Sequence, residues 1–256
     1  MSRFDLSNKK GLVIGIANDH SLAYGCARAI REQGGRLAIT YLNDKAKPHV
    51  EPLARELDAE HCLPCNVAHP DEVDTVFETL QSDWGELDFL IHSIAFAPLA
   101  DLQGRLIDSS RDGFLEAMDI SCHSLMRLAK HAETLMPNGG SILTMSYIGA
   151  ERAVANYNLM GPVKAALESS VRYLAHELGP QGMRVNAISA GPVATRAASG
   201  LADFDNLLDK ANRQSPLPYE LTTDDVGSLA AYLVADGGRR ITGETIHIDG
   251  GYHIHD

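Results

Sequence analysis

Tyr157 and Lys164 stand seven residues apart in Asn156-Tyr157-Asn158-Leu159-Met160-Gly161-Pro162-Val163-Lys164, and Tyr147 lies ten residues before Tyr157. A helix advances about 100° per residue, so seven residues return to nearly the same face, roughly 10 Å further along. The spacing therefore predicts a phenol and an ammonium on one side of one helix. A phenol so placed donates a hydrogen bond or a proton, while the lysine holds a ligand hydroxyl nearby and lowers the phenol's pKa. Either tyrosine alone reads as a half-buried aromatic with a bonded hydroxyl. The two together with Lys164 read as a reacting site.

The elements that must position these groups alternate along the chain. Apolar, β-rich runs predict strands at 11–16, 36–40, 61–65, 88–92, 141–145, 183–188 and 245–248. Amphipathic stretches predict helices at 22–33, 49–57, 71–82, 111–136, 157–178 and 223–234. Segment 195–215 is irregular, with a short helix, and contains Ala197, Ala198, Ser199 and Gly200. Small residues there make it a candidate substrate lid. The alternation implies an α/β fold over residues 1–256: a single-domain, Rossmann-type, doubly wound parallel sheet with helices on both faces. Ligands of such sheets bind beyond the strand C-termini, where the strand order switches.

The first strand runs into Gly15-Ile16-Ala17-Asn18-Asp19-His20-Ser21-Leu22-Ala23-Tyr24-Gly25. Gly15 suits a tight turn, Gly25 suits close packing of the helix on the sheet, and Ser21 is placed to cap the helix. The helix N-terminus favours a pyrophosphate. The spacing is G-x5-S-x3-G, not G-x-G-x-x-G. A glycine turn here is often only a turn; its place on the first strand of a doubly wound sheet favours a nucleotide. Joined to the Tyr/Lys pair, it points to a reductase of carbonyl-conjugated substrates. The second strand ends in Thr40-Tyr41-Leu42-Asn43-Asp44-Lys45. No arginine is there to clamp a 2′-phosphate and no acid at the tip to take the ribose diol, so NADH is expected, with NADPH left open by Lys45.

Composition narrows the partners. Hydrophobic residues make up 45% of the 256, enough for a large core. A net charge of −12 argues against nucleic acid, which needs a basic footprint. No apolar run reaches the ~18 residues of a membrane span. The first residues carry no apolar signal core, so a cytoplasmic protein is expected. Cys62 and Cys65 have C-x-x-C spacing but no second pair to complete a metal site, so they read as two thiols on or beside a buried strand. His253 and His255 are the only metal candidates, and no metal is expected.

With these residues in hand, the chain resembles the bacterial enoyl-acyl-carrier-protein reductases, a divergent branch of the short-chain dehydrogenase/reductases. The resemblance runs through 146–153, 156–161, Lys164-Ala165, His92-Ser93-Ile94-Ala95-Phe96-Ala97-Pro98, Arg184-Val185-Asn186-Ala187-Ile188-Ser189-Ala190-Gly191-Pro192 and Asp249-Gly250-Gly251. Ordinary members carry Y-x3-K, whereas here Gly161 stands four after Tyr157; Y-x6-K with Tyr147 ahead of it is specific to the enoyl reductases. The resemblance implies hydride transfer from NAD(P)H to the C=C of trans-2-enoyl thioesters in fatty-acid synthesis. Tyr157 would stabilise the thioester oxygen, Lys164 would hold the nicotinamide ribose, and Tyr147 would shape the substrate side. Implied cofactor contacts are Gly15, Ser21, Leu22, Ser93, Ile94, Ala95, Lys164, Ile188, Pro192 and Thr195, with Asn66-Val67 at the adenine edge. Asparagine there replaces a common aspartate and accepts from the adenine amino group through its side-chain oxygen. Ala97, Tyr147 and Tyr157 are the implied substrate contacts. A homotetramer is implied, and acyl carrier protein as partner.

Three features depart from that pattern. Segment 201–210 carries Asp203, Asp205 and Asp209 against Lys210, where the family has bases that meet an acidic carrier. Pro218-Tyr219 replaces a common Arg-Arg, leaving Arg196, Arg213, Arg239 or Arg240 to form another patch. Ala95 adds a methyl where glycine is also common. A diverged paralogue acting on another enoyl, enone or carbonyl substrate is the alternative expectation. A non-catalytic nucleotide-binding protein is a third, opposed by the intact Tyr147, Tyr157 and Lys164.

Overall fold

The computed structural model describes residues 2–195, 198–217 and 220–255. Seven parallel strands form one sheet: β1 (Lys10–Ile14), β2 (Arg36–Tyr41), β3 (His61–Pro64), β4 (Phe89–His92), β5 (Gly140–Ser146), β6 (Met183–Ala190) and β7 (Thr245–Ile248). Their spatial order is β3-β2-β1-β4-β5-β6-β7, so the order reverses between β1 and β4. Because every pairing is parallel, all seven C-terminal ends share one edge of the sheet.

Side-chain alternation divides the core into two layers. Leu12, Leu90, Ile142 and Val185 face α3 (Pro70–Asp83), α6 (Ser124–Leu135) and α7 (Met160–Leu178). Val13, Ile91, Leu143 and Ile188 face α1 (Leu22–Glu32), α2 (Lys47–Glu56) and α9 (Thr223–Val234). With both faces covered, the strands read as continuous apolar runs, as parallel sheets require. Between β4 and α6 lie a four-residue helix α4 (Leu99–Leu102) and α5 (Arg111–Met118). The last helix before α9 is α8 (Phe204–Gln214).

Four expectations need correction. The helix expected over 111–136 is interrupted: Asp119–His123 forms a π-helical turn between α5 and α6. Such turns insert one residue into the helical ladder and re-aim the side chains around it. The helix expected from residue 157 starts at Met160 instead. Pro162 explains this, because its ring excludes the carbonyl of the residue four before it, Asn158, from a helical bond. Asn156 and Asn158 adopt left-handed φ values of 63° and 41°, and Tyr157 sits between them. Tyr157 and Lys164 therefore do not share a helix face. Gly25 packs against α9, not the sheet: a Cβ on it would lie 2.3 Å from the Thr223 carbonyl oxygen. Finally, the short helix expected within 195–215 extends over eleven residues as α8.

The α1–α9 crossing yields one stability prediction. A Cβ added at Gly227 would lie 2.2 Å from the Gly25 carbonyl oxygen, so no side chain fits without parting the two helices. Gly227→Ala is expected to destabilise by about 1–3 kcal/mol, read as a lower urea midpoint at unchanged slope. Wild-type stability in that variant would refute the close crossing.

Candidate active site

The phosphate loop opens where the strand order switches. Gly15 has φ 111°, and a Cβ there would lie 2.0 Å from the Ser93 carbonyl oxygen. Only glycine turns here while admitting the chain that leaves β4. Ser93 in turn donates its amide to the Ile14 carbonyl at 3.0 Å. Ser21 occupies the N-cap position of α1, but its hydroxyl does not cap the helix. It accepts from the amides of Ala17 and Asn18 at 3.0 and 3.1 Å and so ties the loop to itself. Its side chain thus holds the loop's shape; the Tyr24 and Gly25 amides donate to the Ser21 carbonyl, while the Leu22 and Ala23 amides have no acceptor among the described residues. A phosphate group fits that arrangement.

Lys164 projects from α7 into the β-strand edge. It is 4% exposed, and its Nζ donates to the Met145 carbonyl at 2.7 Å. Burial pulls its pKa from 10.5 down to about 8. Tyr157 is 8% exposed and packs edge-on against Tyr147, ring centroids 4.8 Å apart. Burial raises the pKa of both phenols, against the expectation that Lys164 lowers that of Tyr157, so both are neutral donors at physiological pH. The Tyr147 hydroxyl is buried and has no hydrogen-bond partner among the described residues. Orphaned buried hydroxyls are rare in folded proteins and mark a place where a ligand atom fits.

A second set of buried polar groups supports these three. His92 at the end of β4 is fully buried, and burial pushes its pKa down to about 3, so it is neutral. Its Nδ1 lies 2.7 Å from Thr144 Oγ1 and its Nε2 lies 2.8 Å from Ser124 Oγ. Ser124 already donates to the Ile120 carbonyl at 2.6 Å, so it accepts from His92, and the proton belongs on Nε2. Ser121, in the π turn, accepts from the Phe96 amide and donates to the Phe96 carbonyl, both at 2.8 Å. That double bond clamps the backbone of the 93–97 loop. Ser146 donates to the buried Glu168 carboxylate, whose pKa burial raises.

The remaining expected residues fall along the same edge. Ser93, Ile94, Ala95 and Ala97 follow β4, Asn66 and Val67 follow β3, and Pro192 and Thr195 follow β6. Ile188 lies within β6 and is fully buried in the α1–α9 layer, so its side chain faces core, not ligand. The Asn66 side-chain oxygen already accepts from the Ala68 amide at 3.1 Å, leaving it one lone pair for adenine. Thr195 Oγ1 accepts from the Ala198 amide at 3.2 Å, starting the 3-10 turn Ala198–Gly200. Arg196, Ala197 and Pro218-Tyr219 lie outside the described residues, as does the side chain of Ser199. Cys62 lies on β3 and Cys65 just beyond it, both free thiols. His253 engages Asp249 and stacks on His247, ring centroids 4.1 Å apart.

Sequence reading missed Ser121, Ser124, Thr144 and the Met145 carbonyl. Hydroxyl partners 25 to 52 positions apart leave no local spacing signal.

Residues 15–253 match the family model described as enoyl-(acyl carrier protein) reductase. The chain is 46% identical to the enoyl-acyl-carrier-protein reductase (NADH) 1 of Rhizobium meliloti, over 97% of this chain and 91% of that protein. It is likewise 46% identical to the NADH enoyl-acyl-carrier-protein reductase of Escherichia coli strain K12, over 97% and 95%. Among solved structures it resembles the Anaplasma phagocytophilum reductase in complex with NAD, at 51% identity and TM-score 0.94, covering 98% and 95% of the two chains. The Bacillus cereus reductase with NADP+ and indole naphthyridinone superposes at TM-score 0.96, with 44% identity and coverage of 98% and 99%.

Proposed function

The chain belongs to the enoyl-(acyl carrier protein) reductase family, and from that premise we propose that it reduces trans-2-enoyl groups carried on acyl carrier protein, using NADH. The observation that carries this reading is the grouping of buried Tyr157 and Lys164 with half-buried Tyr147, whose hydroxyl is unpartnered among the described residues. NADH, when bound, supplies a hydride to Cβ of the enoyl group. Negative charge then develops on the thioester oxygen. Tyr157 meets that oxygen with a neutral O–H held in a dry site, where a preorganised donor is worth most. Lys164, anchored on the Met145 carbonyl, turns its remaining N–H donors to the nicotinamide ribose and keeps positive potential beside the phenol. Tyr147 packs edge-on against Tyr157 and shapes the acyl side of the pocket with Ala97.

Cofactor binding follows from the same edge. Gly15, Ser21 and Leu22 frame the pyrophosphate, Ser93, Ile94 and Ala95 line the ribose and nicotinamide, and Pro192 and Thr195 close the far side. Ile188, fully buried within β6, touches none of these groups and serves as packing beneath the site. Asn66 and Val67 take the adenine. Segment 195–215, with α8 filling its second half, is the substrate lid. The whole of residues 1–256 works as one reductase domain, in the cytoplasm, as a homotetramer. Exposed apolar side chains on α5 (Phe114, Leu115) and on α7 (Tyr173) support subunit packing. Among the described residues no helix is long and apolar enough to cross a membrane.

The lid favours a second reading in which the carrier differs. Asp203, Asp205 and Asp209 line the start and outer face of α8, and its described bases are Lys210 and Arg213, the latter 3.9 Å from Asp209. An acidic carrier meeting that rim is repelled. NADH consumption with dodecenoyl groups on acyl carrier protein, on coenzyme A and on a minimal thiol separates the two. Preference for the carrier-bound substrate by tenfold or more in kcat/KM is expected. Turnover confined to small thioesters would make the acidic lid the mark of a different substrate.

A further inference from the structure

The loop after β3 is tied down almost completely by its neighbours. The Asn66 amide donates to Glu72 Oε2 at 2.7 Å, the Asn66 side-chain oxygen accepts from Ala68, and the Asn66 carbonyl accepts from the His69 amide at 2.9 Å. The Val67 carbonyl accepts from Arg127 Nη2 at 2.7 Å. Among the described residues the Val67 amide has no acceptor, so the loop's free backbone donor is that single N–H.

Arg127 reaches this loop from α6, sixty residues away in the chain. Its guanidinium is itself anchored on the π turn: Nη1 donates to Asp119 Oδ1 at 2.5 Å and to His123 Nδ1 at 3.0 Å, and Nη2 lies 3.3 Å from Asp119 Oδ2. The planar fork is needed for this, because one group must hold a carboxylate on one side and a carbonyl on the other. The guanidinium draws the Asp119 pKa below the ordinary carboxylate value. The π turn that anchors Arg127 also carries Ser121, which clamps the Phe96 backbone. One turn is thus tied directly to the loop after β4 and, through Arg127, to the loop after β3.

In a doubly wound sheet the β1-β2-β3 half takes the adenosine, beyond the strand C-termini. We propose that Arg127 is a positioning residue for the adenine end of the cofactor: it grips the Val67 carbonyl from behind so that the Val67 amide faces the adenine edge. The π turn is its abutment. The inference rests on the reading of the chain as an NADH-dependent reductase, since it assigns this loop to adenine.

Arg127→Met keeps the aliphatic stem and removes the fork. Two readouts test it: calorimetric binding of adenosine diphosphate, which needs no turnover, and the separate kcat and KM values for NADH. Expected in Arg127→Met are ADP affinity weaker by on the order of tenfold, equivalent to about 1.4 kcal/mol, a matching rise in the KM for NADH, and kcat within about twofold. Arg127→Lys, a point charge that reaches Asp119 or Val67 but not both, is expected to fall between. It carries the test by the same ADP measurement if the methionine variant fails to fold. Unchanged ADP affinity in a folded variant overturns the proposal, as does a fall in kcat with ADP binding intact. A wild-type protein that binds ADP but reduces no enoyl thioester, with ADP affinity lost in Arg127→Met, would refute the reductase reading and leave Arg127's role standing. Wild-type protein that neither binds ADP nor consumes NADH would overturn both.

Discussion

Tyr157→Phe lowers kcat on carrier-bound enoyl substrate by on the order of 10²–10³-fold, with the KM for NADH nearly unchanged. The expected size is that of losing one preorganised donor to an oxyanion. The substitution removes a single oxygen from a side chain that is 8% exposed and packed against Tyr147, so the fold is preserved. Phenylalanine keeps the edge-on ring contact and leaves the helix start undisturbed, because the left-handed conformations belong to Asn156 and Asn158, not to residue 157. An effect on kcat without one on the KM for NADH is the mark of an interaction made in the transition state. Single-turnover measurement of NADH absorbance checks it. A kcat within threefold of wild type would remove Tyr157 from the chemistry and transfer the role to Tyr147.

Lys164→Met is expected to abolish most activity while making the protein more stable, a combination few surface explanations produce. Lys164 is buried, and burial pulls its pKa from 10.5 to about 8. At 1.36 kcal/mol per unit, that shift corresponds to about 3 kcal/mol of destabilisation wherever both states are charged, below about pH 8. Losing the bond to the Met145 carbonyl costs about 1 kcal/mol. Relief of the buried charge therefore wins, and at pH 7 the variant should melt about 5 °C higher, taking roughly 2–4 °C per kcal/mol at this size. Activity falls on the order of 100-fold, because the ribose loses its cationic partner.

The wild type's pH dependence has two opposite signs from this one group. The folded pKa lies below the unfolded one, so between about pH 8 and pH 10.5 the unfolded chain binds more protons. Stability contributed by Lys164 therefore rises with pH across that window. If Lys164 acts as the proposed cationic partner of the ribose, kcat/KM is expected to fall as pH rises through about 8. Urea midpoints and initial rates measured side by side from pH 7 to 10 read both trends. Activity that stays flat to pH 10 would mean that the charge on Lys164 is not used.

Much of this was legible in the chain. The alternation of apolar runs and amphipathic stretches determined a parallel, doubly wound sheet, because a strand buried on both faces and a helix buried on one carry different periodicities. The identities of Tyr147, Tyr157 and Lys164, and the Y-x6-K spacing, were read directly. Even the late start of α7 has a local signal in Pro162, although the apolar spacing alone continues the helix back to Tyr157. Ser21 was found as the N-cap position, but its hydroxyl chose the loop amides, which a one-dimensional reading does not rank.

The tertiary structure alone decided how the reacting groups are held. The carbonyl that anchors Lys164 belongs to β5, nineteen residues earlier, and the hydroxyls that fix His92 come from β5 and α6. The carbonyl gripped by Arg127 follows β3. Such partners meet only because the crossovers return each strand to the same edge of one sheet. Periodicity records which face of an element is buried; it holds no record of which distant backbone oxygen or hydroxyl that face will meet.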